Sequence, residues 1–390
     1  MKKILAMLSL LLFLILTSCV KLENYLIISE YIAGDNSNQA IEIYNSSDKD
    51  VDLNNYSIGI YSVKDSKGFP SVNVKLKGII EAKKTFVVVN SNADDSFLEK
   101  ADLKTNELSF GGKEGISLMK NNEDLDVIGN LGVRNYNSDL AFVRKTWRLT
   151  PSNTFNNTID YLYYNPLTAI NYLGEFINSV TLDELLEGPK FVDDYLDMDF
   201  YEITSSYVGT GGAIEVTLEG NIDGDTSYFY FPSKASVDKY MNSLTYNSKR
   251  GEYCGKVRYQ EVDTPETQVQ NNKVEEFGWP AKLNTAKLQN EADHIYVQSN
   301  AKEAMVENYG RMLGYVFVEK DGDSLMVNFD TIKKGYSTAT LTYNGYVCYK
   351  DCPYYNYFVA ARDYAIENNL GIYGEKDPYW DYINNKSKQL

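Results

Sequence analysis

Apolar and polar positions along this chain alternate in short runs more often than they recur at helical spacing. Ala40-Ile41-Glu42-Ile43-Tyr44-Asn45 has the period of two of a half-buried strand, and Tyr56–Tyr61 and Thr85–Asn90 repeat it more loosely. Clusters of Asn, Asp, Ser and Gly around 34–39, 46–50 and 92–96 separate these runs and predict turns. Short strands so punctuated predict an antiparallel β-sandwich over residues 23–176. From 177 to 205 the pattern loosens into acidic residues with intermittent apolar positions, which predicts a short helix in a solvated linker. Strand patterning resumes after Gly-Thr-Gly-Gly at 209–212, with Ala213-Ile214-Glu215-Val216-Thr217-Leu218, and a second domain is expected over 206–375. Its last element is a helix stopped at Asn368-Asn369-Leu370-Gly371, and 376–390 form a peripheral tail. The expected fold class is mainly β, with α+β character in the second half.

The N-terminus breaks this pattern. Lys2 and Lys3 precede an apolar run from Ile4 to Leu16, followed by Thr17-Ser18-Cys19. The run suits the roughly 7–15 residues of a signal-peptide core and falls short of the ~20 that span a bilayer as a helix. The segment resembles the lipobox of bacterial lipoproteins. That resemblance implies a signal peptide over 1–18, cleavage before Cys19 and a lipid on its thiol, which tethers the chain to the cell membrane on its extracellular face. An uncleaved anchor helix is the alternative, and it too leaves the remainder facing outward.

Composition narrows the possible chemistry. A length of 390 residues suggests two domains, and 43% hydrophobic with 24% charged residues excludes wholesale disorder. The 33 tyrosines favour strands. Beyond Cys19, three cysteines remain: Cys254, Cys348 and Cys352. An oxidising exterior permits one disulfide among them; Cys348 with Cys352 is the simplest pair, but spacing does not decide it. The only histidine, His294, lies in an alternating stretch and reads as a surface strand residue. Zinc-type spacing and His-dependent nucleophilic triads are thereby disfavoured. The net charge of −16 opposes tight general nucleic-acid binding, and 206–375 itself holds 16 Lys/Arg against 23 Asp/Glu. A cation held by carboxylates would reconcile local acidity with attraction of phosphate.

Clusters in the second half carry the candidate chemistry. Asp223-Gly224-Asp225 alone is a common turn. Thr264-Pro265-Glu266 alone is a common helix opening, and Tyr309-Gly310-Arg311 is only a tripeptide. Arginine usage sharpens the case: the chain has seven arginines against 31 lysines. Arg258 nevertheless lies in an apolar strand pattern and Arg311 beside a glycine before another strand, places where a planar fork can grip phosphate oxygens. Asp225, Asp263 and Glu266 supply hard oxygens suited to Ca²⁺. Arg258 and Asp263 are five residues apart, so a regular strand would point them to opposite faces, and the strand must end or bend between them.

Two resemblances follow from the residues. "IISEYIAGDNSNQAIEIYNSSDKDVDLNNYSI", "FVVVNSN", "GGKEGISL" and "AFVRKTWRLTP" resemble a lamin-tail domain of secreted bacterial proteins. This implies an immunoglobulin-like fold without chemistry of its own, whose partner is not indicated. "IDGDT", "VRYQEVDTPET", "YGRMLGYVFV" and a final helix ending in "LGIY" resemble the staphylococcal nuclease (thermonuclease) family over about 212–374. The resemblance implies an OB-fold barrel with packed helices that uses Ca²⁺ to hydrolyse DNA and RNA to 3′-phosphate ends. It assigns Asp225, Asp263 and the carbonyl of Thr264 to the metal, and Arg258 and Arg311 to the phosphate and its developing charge. Glu266 falls to the attacking water, and Asp223 becomes a supporting neighbour. Tyr309 would touch the bound nucleotide, and Tyr343 is a candidate stacking residue. Three departures stand out: an insertion around 232–255, Asn308 in place of a lysine, and a tyrosine-rich segment over 343–357 that aligns poorly. A non-catalytic surface module that binds nucleic acid, or an adhesin acting through the sandwich, is the competing reading.

Overall fold

The computed structural model describes residues 26–63, 68–176, 179–203, 208–232, 244–267, 274–307, 310–343, 346–347 and 351–389. The signal segment and Cys19, Cys348 and Tyr309 lie outside the described residues, as does much of the 232–255 insertion. The chain divides into two units, 1–180 and 181–390, and both are mainly β.

In the first unit the described strands are β1 (Leu26–Ala33), β2 (Gln39–Asn45), β3 (Val51–Asp52), β4 (Tyr56–Tyr61), β5 (Val72–Lys75) and β6 (Ile79–Ile80). They continue with β7 (Thr85–Val89), β8 (Leu103–Lys104), β9 (Gly115–Lys120), β10 (Glu123–Ile128), β11 (Leu140–Arg144) and β12 (Tyr161–Tyr164). One sheet runs β12-β11-β1-β2-β7-β8 and another β10-β9-β4-β5, with β3 paired to β6. Every pairing is antiparallel except β7 with β8. Asp126 on β10 ties the two sheets: its carboxylate accepts from the backbone N–H of Ile28 on β1 (2.7 Å) and from the Arg144 guanidinium on β11 (2.6 Å). Arg144 donates further to the carbonyl of Ile28 (2.8 Å) and to the Tyr161 hydroxyl, so a fully buried cation is surrounded by acceptors.

The alternation of β2 predicts one wet face, yet β1 and β2 are buried along their whole length. The reason is tertiary. Phe97 from the short helix Asp95–Leu98, Ala169 from Pro166–Ala169 and Leu173 pack with Ile32, Ala40, Val87 and Val143, which covers the face that carries the polar positions. Glu30 and Glu42, directly opposite each other on β1 and β2, are buried with it. Glu42 accepts from Ser29 Oγ (2.6 Å) and from the Gly174 N–H, whereas neither carboxyl oxygen of Glu30 has a hydrogen-bond partner. Burial, and the charge of Glu42, hold the Glu30 carboxyl well above its ordinary range. Burial raises Glu42 to about 7, against lowering contributions from Ser29, Gly174 and Lys100 and a raising one from Asp102. In the unfolded chain such groups ionise near 4.5. Stability from the protonated pair is therefore full below that value and is lost as pH rises through 7. The first unit is expected to unfold at lower denaturant at about pH 8 than at about pH 5, and Glu30→Gln with Glu42→Gln to flatten that dependence. An unchanged pH profile in the double variant would remove these two groups as its cause.

The second unit opens with a capped helix, Leu182–Leu186, in the acidic segment. Phe191 then stacks on Tyr296 with ring centroids 4.1 Å apart, and Lys333 Nζ donates to the carbonyl of Leu186 (2.7 Å). Its main strands are β13 (Ala213–Glu215), β14 (Thr217–Asn221), β15 (Thr226–Pro232), β16 (Leu244–Asn247), β17 (Glu252–Tyr259), β18 (His294–Gln298), β19 (Met312–Lys320) and β20 (Asp323–Met326). The hydrogen-bonded path is β13-β18-β19-β17-β15-β14, with β16 on β17 and β20 on β19. No closed barrel is present among the described residues. The two edge strands are consecutive in the chain, joined by Val216, whose N–H bonds to the carbonyl of Ile295 and not across to the other edge. Three helices, Gly278–Asn290, Val327–Lys333 and Tyr355–Glu367, pack on this sheet or on each other. Residues 376–389 fold back so that buried Asp377 accepts from the N–H of Phe277, just before the first of these helices (2.7 Å). His294 is exposed on β18 and bonds to Glu215 (2.7 Å), the surface strand position its pattern predicts.

Candidate active site

The Asp-Gly-Asp turn leads into β15 and is held from below. Gly224 carries no side chain because a Cβ there would lie 2.6 Å from Ala281 Cβ and 2.9 Å from Thr264. The same close approach lets Thr285 Oγ1 donate to the carbonyl of Gly224 (2.7 Å), which fixes the turn on the helix Gly278–Asn290. Asp225 is thereby buried, and its carboxylate accepts from Thr226 Oγ1 (2.9 Å), Thr264 N (2.7 Å) and Thr264 Oγ1 (2.9 Å).

Arg258 stands opposite Thr226 in the β15–β17 ladder, and its guanidinium donates to both Asp225 and Asp263. The bend that their spacing requires is present: β17 ends at Tyr259 and Glu261 adopts φ 62°. The turn is pinned by Asp263 N–H to Ser337 Oγ (3.0 Å) and Thr340 N–H to the carbonyl of Glu261 (2.8 Å). Arg311 reaches the same place by a different route. β19 pairs in parallel with β17, with Leu313 beside Arg258. Arg311 and Arg258 therefore line one cavity of about 690 Å³ together with Asp263, Glu303 and Glu307.

Charge is concentrated there. Burial, with the adjacent charge of Asp225, raises Asp223 to about 7. Glu266 is exposed, but partial desolvation and then Asp225 push its carboxyl upward, while Arg258 opposes the shift. Among the described residues no three His, Cys, Asp or Glu side chains converge on a metal-sized space. Asp225, Asp263 and Glu266 thus do not form a single three-acid cluster; Arg258 instead spans the first two. The donor chemistry still suits a hard cation. Asp225, Asp263 and the Thr264 carbonyl offer only oxygen, and the mutual raising of Asp223 and Glu266 by Asp225 marks unbalanced negative potential.

Residue composition did not single out Glu307. It grips Arg311 through both Nε and Nη2, across a tight turn closed by Glu307 N–H to the Arg311 carbonyl (3.0 Å) with Gly310 at φ 79°. The hydrogen bond to the Glu307 carboxylate raises the guanidinium above its usual value. The spacing Glu-x-x-Gly-Arg in the chain is the signal that could have found it. Gln260 and Glu303, hydrogen-bonded to each other (2.8 Å), also line the cavity. Of Tyr343 only its place in the strand Thr342–Tyr343 is described, which neither joins it to this cavity nor removes it.

Residues 256–373 match the family described as Staphylococcal nuclease homologue. The second unit carries a nuclease-homologue domain. Arg258, Asp263, Thr264, Glu266 and Arg311 fall inside the match, whereas Asp223 and Asp225 precede it and join the site through the β15–β17 ladder. Residues 21–131 match the Lamin Tail Domain family. The chain is 32% identical over 144 residues to endonuclease YncB of Bacillus subtilis (strain 168), covering 35% of this chain and 54% of that protein. It is 31% identical over 144 residues to the SPbeta prophage-derived endonuclease YokF of the same organism, covering 35% of this chain and 38% of that protein. The chain spans about half the length of the first of these relatives and less of the second.

Proposed function

We propose that the second unit is a calcium-dependent nuclease that hydrolyses phosphodiester bonds of DNA and RNA and leaves 3′-phosphate ends. The observation that carries this reading is the placement of Arg258 on β17 and of Arg311 immediately before the parallel neighbour β19, lining one cavity beside Asp225 and Asp263. Both relatives bear endonuclease names, which supports the same activity here. The finer architecture we assign is an immunoglobulin-like sandwich in the first unit and an OB-fold in the second, with a lipid on Cys19 holding the chain to the outer face of the membrane.

In this reading Arg258 and Arg311 bind the two sides of the scissile phosphate, because planar guanidinium forks match its oxygens in pairs. Arg311 stabilises charge that develops on phosphorus and on the leaving oxygen. Glu266 orients a water for in-line attack and accepts its proton. The raised affinity of its carboxyl for protons moves it toward the range where a base works near neutrality. Bound calcium, held by Asp225, Asp263 and the Thr264 carbonyl, would supply further stabilisation of phosphate charge and a nearby, more acidic water. Asp223 acts through Asp225, whose N–H it accepts (3.2 Å).

The test is incubation of the protein with plasmid DNA and with RNA, in calcium or in chelator. Cleavage in calcium alone is expected, with Glu266→Gln slowing it by about 10²–10⁴-fold, the ordinary worth of a positioned base. DNA that is bound yet intact with calcium present would favour a non-catalytic module.

A further inference from the structure

The face of the sheet that carries Arg258 does not end at the cavity. On β15, Phe229 and Phe231 are fully buried, so the alternate residues Tyr228 and Tyr230 point outward, and both are partly exposed. In the β15–β17 ladder Thr226 faces Arg258, Tyr228 faces Lys256 and Tyr230 faces Cys254. Directly opposed residues share one side of a sheet, so both tyrosines lie on the side of Arg258 and Lys256. Lys256 Nζ lies 5.3 Å from the centroid of the Tyr228 ring, and Arg250 Cζ 4.1 Å from that of Tyr230. Starting from Arg258, the strands therefore present a row in which each aromatic ring is paired with a cation.

That row is unusual for this chain. In a protein of net charge −16, two of the seven arginines and a lysine fall along one short face. Arg250 is bonded to Glu252 (2.8 Å) and Arg258 to Asp225 and Asp263, while Glu219 lies near Cys254. Cation–aromatic pairs of this kind need no ligand to exist. Their direct continuity with the phosphate-binding arginine is what gives them a direction.

We propose that β15 and β17 form a track for single-stranded nucleic acid, carrying the part of the substrate that flanks the phosphate held at Arg258. Bases stack on Tyr228 and Tyr230, and the intervening phosphates meet Lys256 and Arg250. A duplex keeps its base faces inside its own stack, so the track selects single strands or locally opened ones. This inference rests on the nuclease reading for its direction, but its test does not need turnover.

The test is binding of a labelled oligothymidylate of about twelve nucleotides to the full chain in chelator, followed by fluorescence anisotropy. Tyr228→Ala with Tyr230→Ala is expected to weaken binding about tenfold or more, on the scale of lost base stacking. Binding of a thymidine dinucleotide, measured by competition, should not change. Tyr228→Phe with Tyr230→Phe, which keeps both rings, should bind as the parent does, and thermal melting confirms folding of each variant. Lys256→Gln is expected to reduce the dependence of log affinity on log salt by about 0.7, one single-strand phosphate contact. Equal affinity of the parent and the double alanine variant for the oligonucleotide would overturn the track. A parent that fails to cut plasmid in calcium sinks the nuclease reading instead, and the oligonucleotide comparison still decides the track.

Discussion

Arg311→Ala is expected to lower turnover by about 10²–10³-fold, the loss seen when one preorganised donor to a developing anion is removed. Folding should hardly change. The Arg311 side chain is 32% exposed and its Glu307 partner 20%, so the lost pair is a half-exposed one, worth at most about 1 kcal/mol. Arg311→Lys keeps the charge but not the fork, and is expected to recover only part of the rate. Single-turnover cleavage of a defined substrate, with thermal melting alongside, checks the prediction. Normal turnover in the alanine variant would remove Arg311 from the chemistry. Arg258→Ala is a less clean experiment, because Arg258 also neutralises buried Asp225 and its loss disturbs the fold as well as the rate.

Asp126→Ala is expected to give the largest loss of stability in the first unit. Arg144 and Asp126 are almost wholly buried (side chains 0% and 1% exposed), and removing one partner of such a pair costs about 3–5 kcal/mol. The carboxylate also accepts from the N–H groups of Ile28 and Ser152, which would be left without a partner. Urea unfolding followed by near-ultraviolet circular dichroism should show an early transition in the variant. Cleavage by the second unit, which has a core of its own, should persist through that transition. A single transition at the parent midpoint would show that the pair does not carry the sheet-to-sheet contact as its geometry implies.

Much of the site was legible in the chain because its parts are local. The turn at Asp223-Gly224-Asp225 and the contrast of rare arginine with common lysine are properties of neighbouring residues or of composition. The bend between Arg258 and Asp263 follows from strand geometry alone, and Glu261 supplies it. Glu307 was not legible from residue type, since a glutamate in a chain with 54 acids carries no signal until its turn is known. The same holds for Tyr228 and Tyr230 among 33 tyrosines. Only the register that sets Tyr228 opposite Lys256, two positions from Arg258, separates them from structural tyrosines.

By itself the order of residues determined where strands and turns form, that two units would fold, and which side chains have the chemistry to hold a phosphate. These follow from side-chain periodicity, backbone preference and functional-group type, all of which act over a few residues. Tertiary structure alone decided that short helices bury the expected wet face of β2 and so enclose Glu30 and Glu42. It also decided that Arg258 spans Asp225 and Asp263, and that the edge strands β13 and β14 meet through Val216 without closing a ladder. Each of these depends on groups brought together from distant parts of the chain, where burial and paired charge, more than local preference, set the energy.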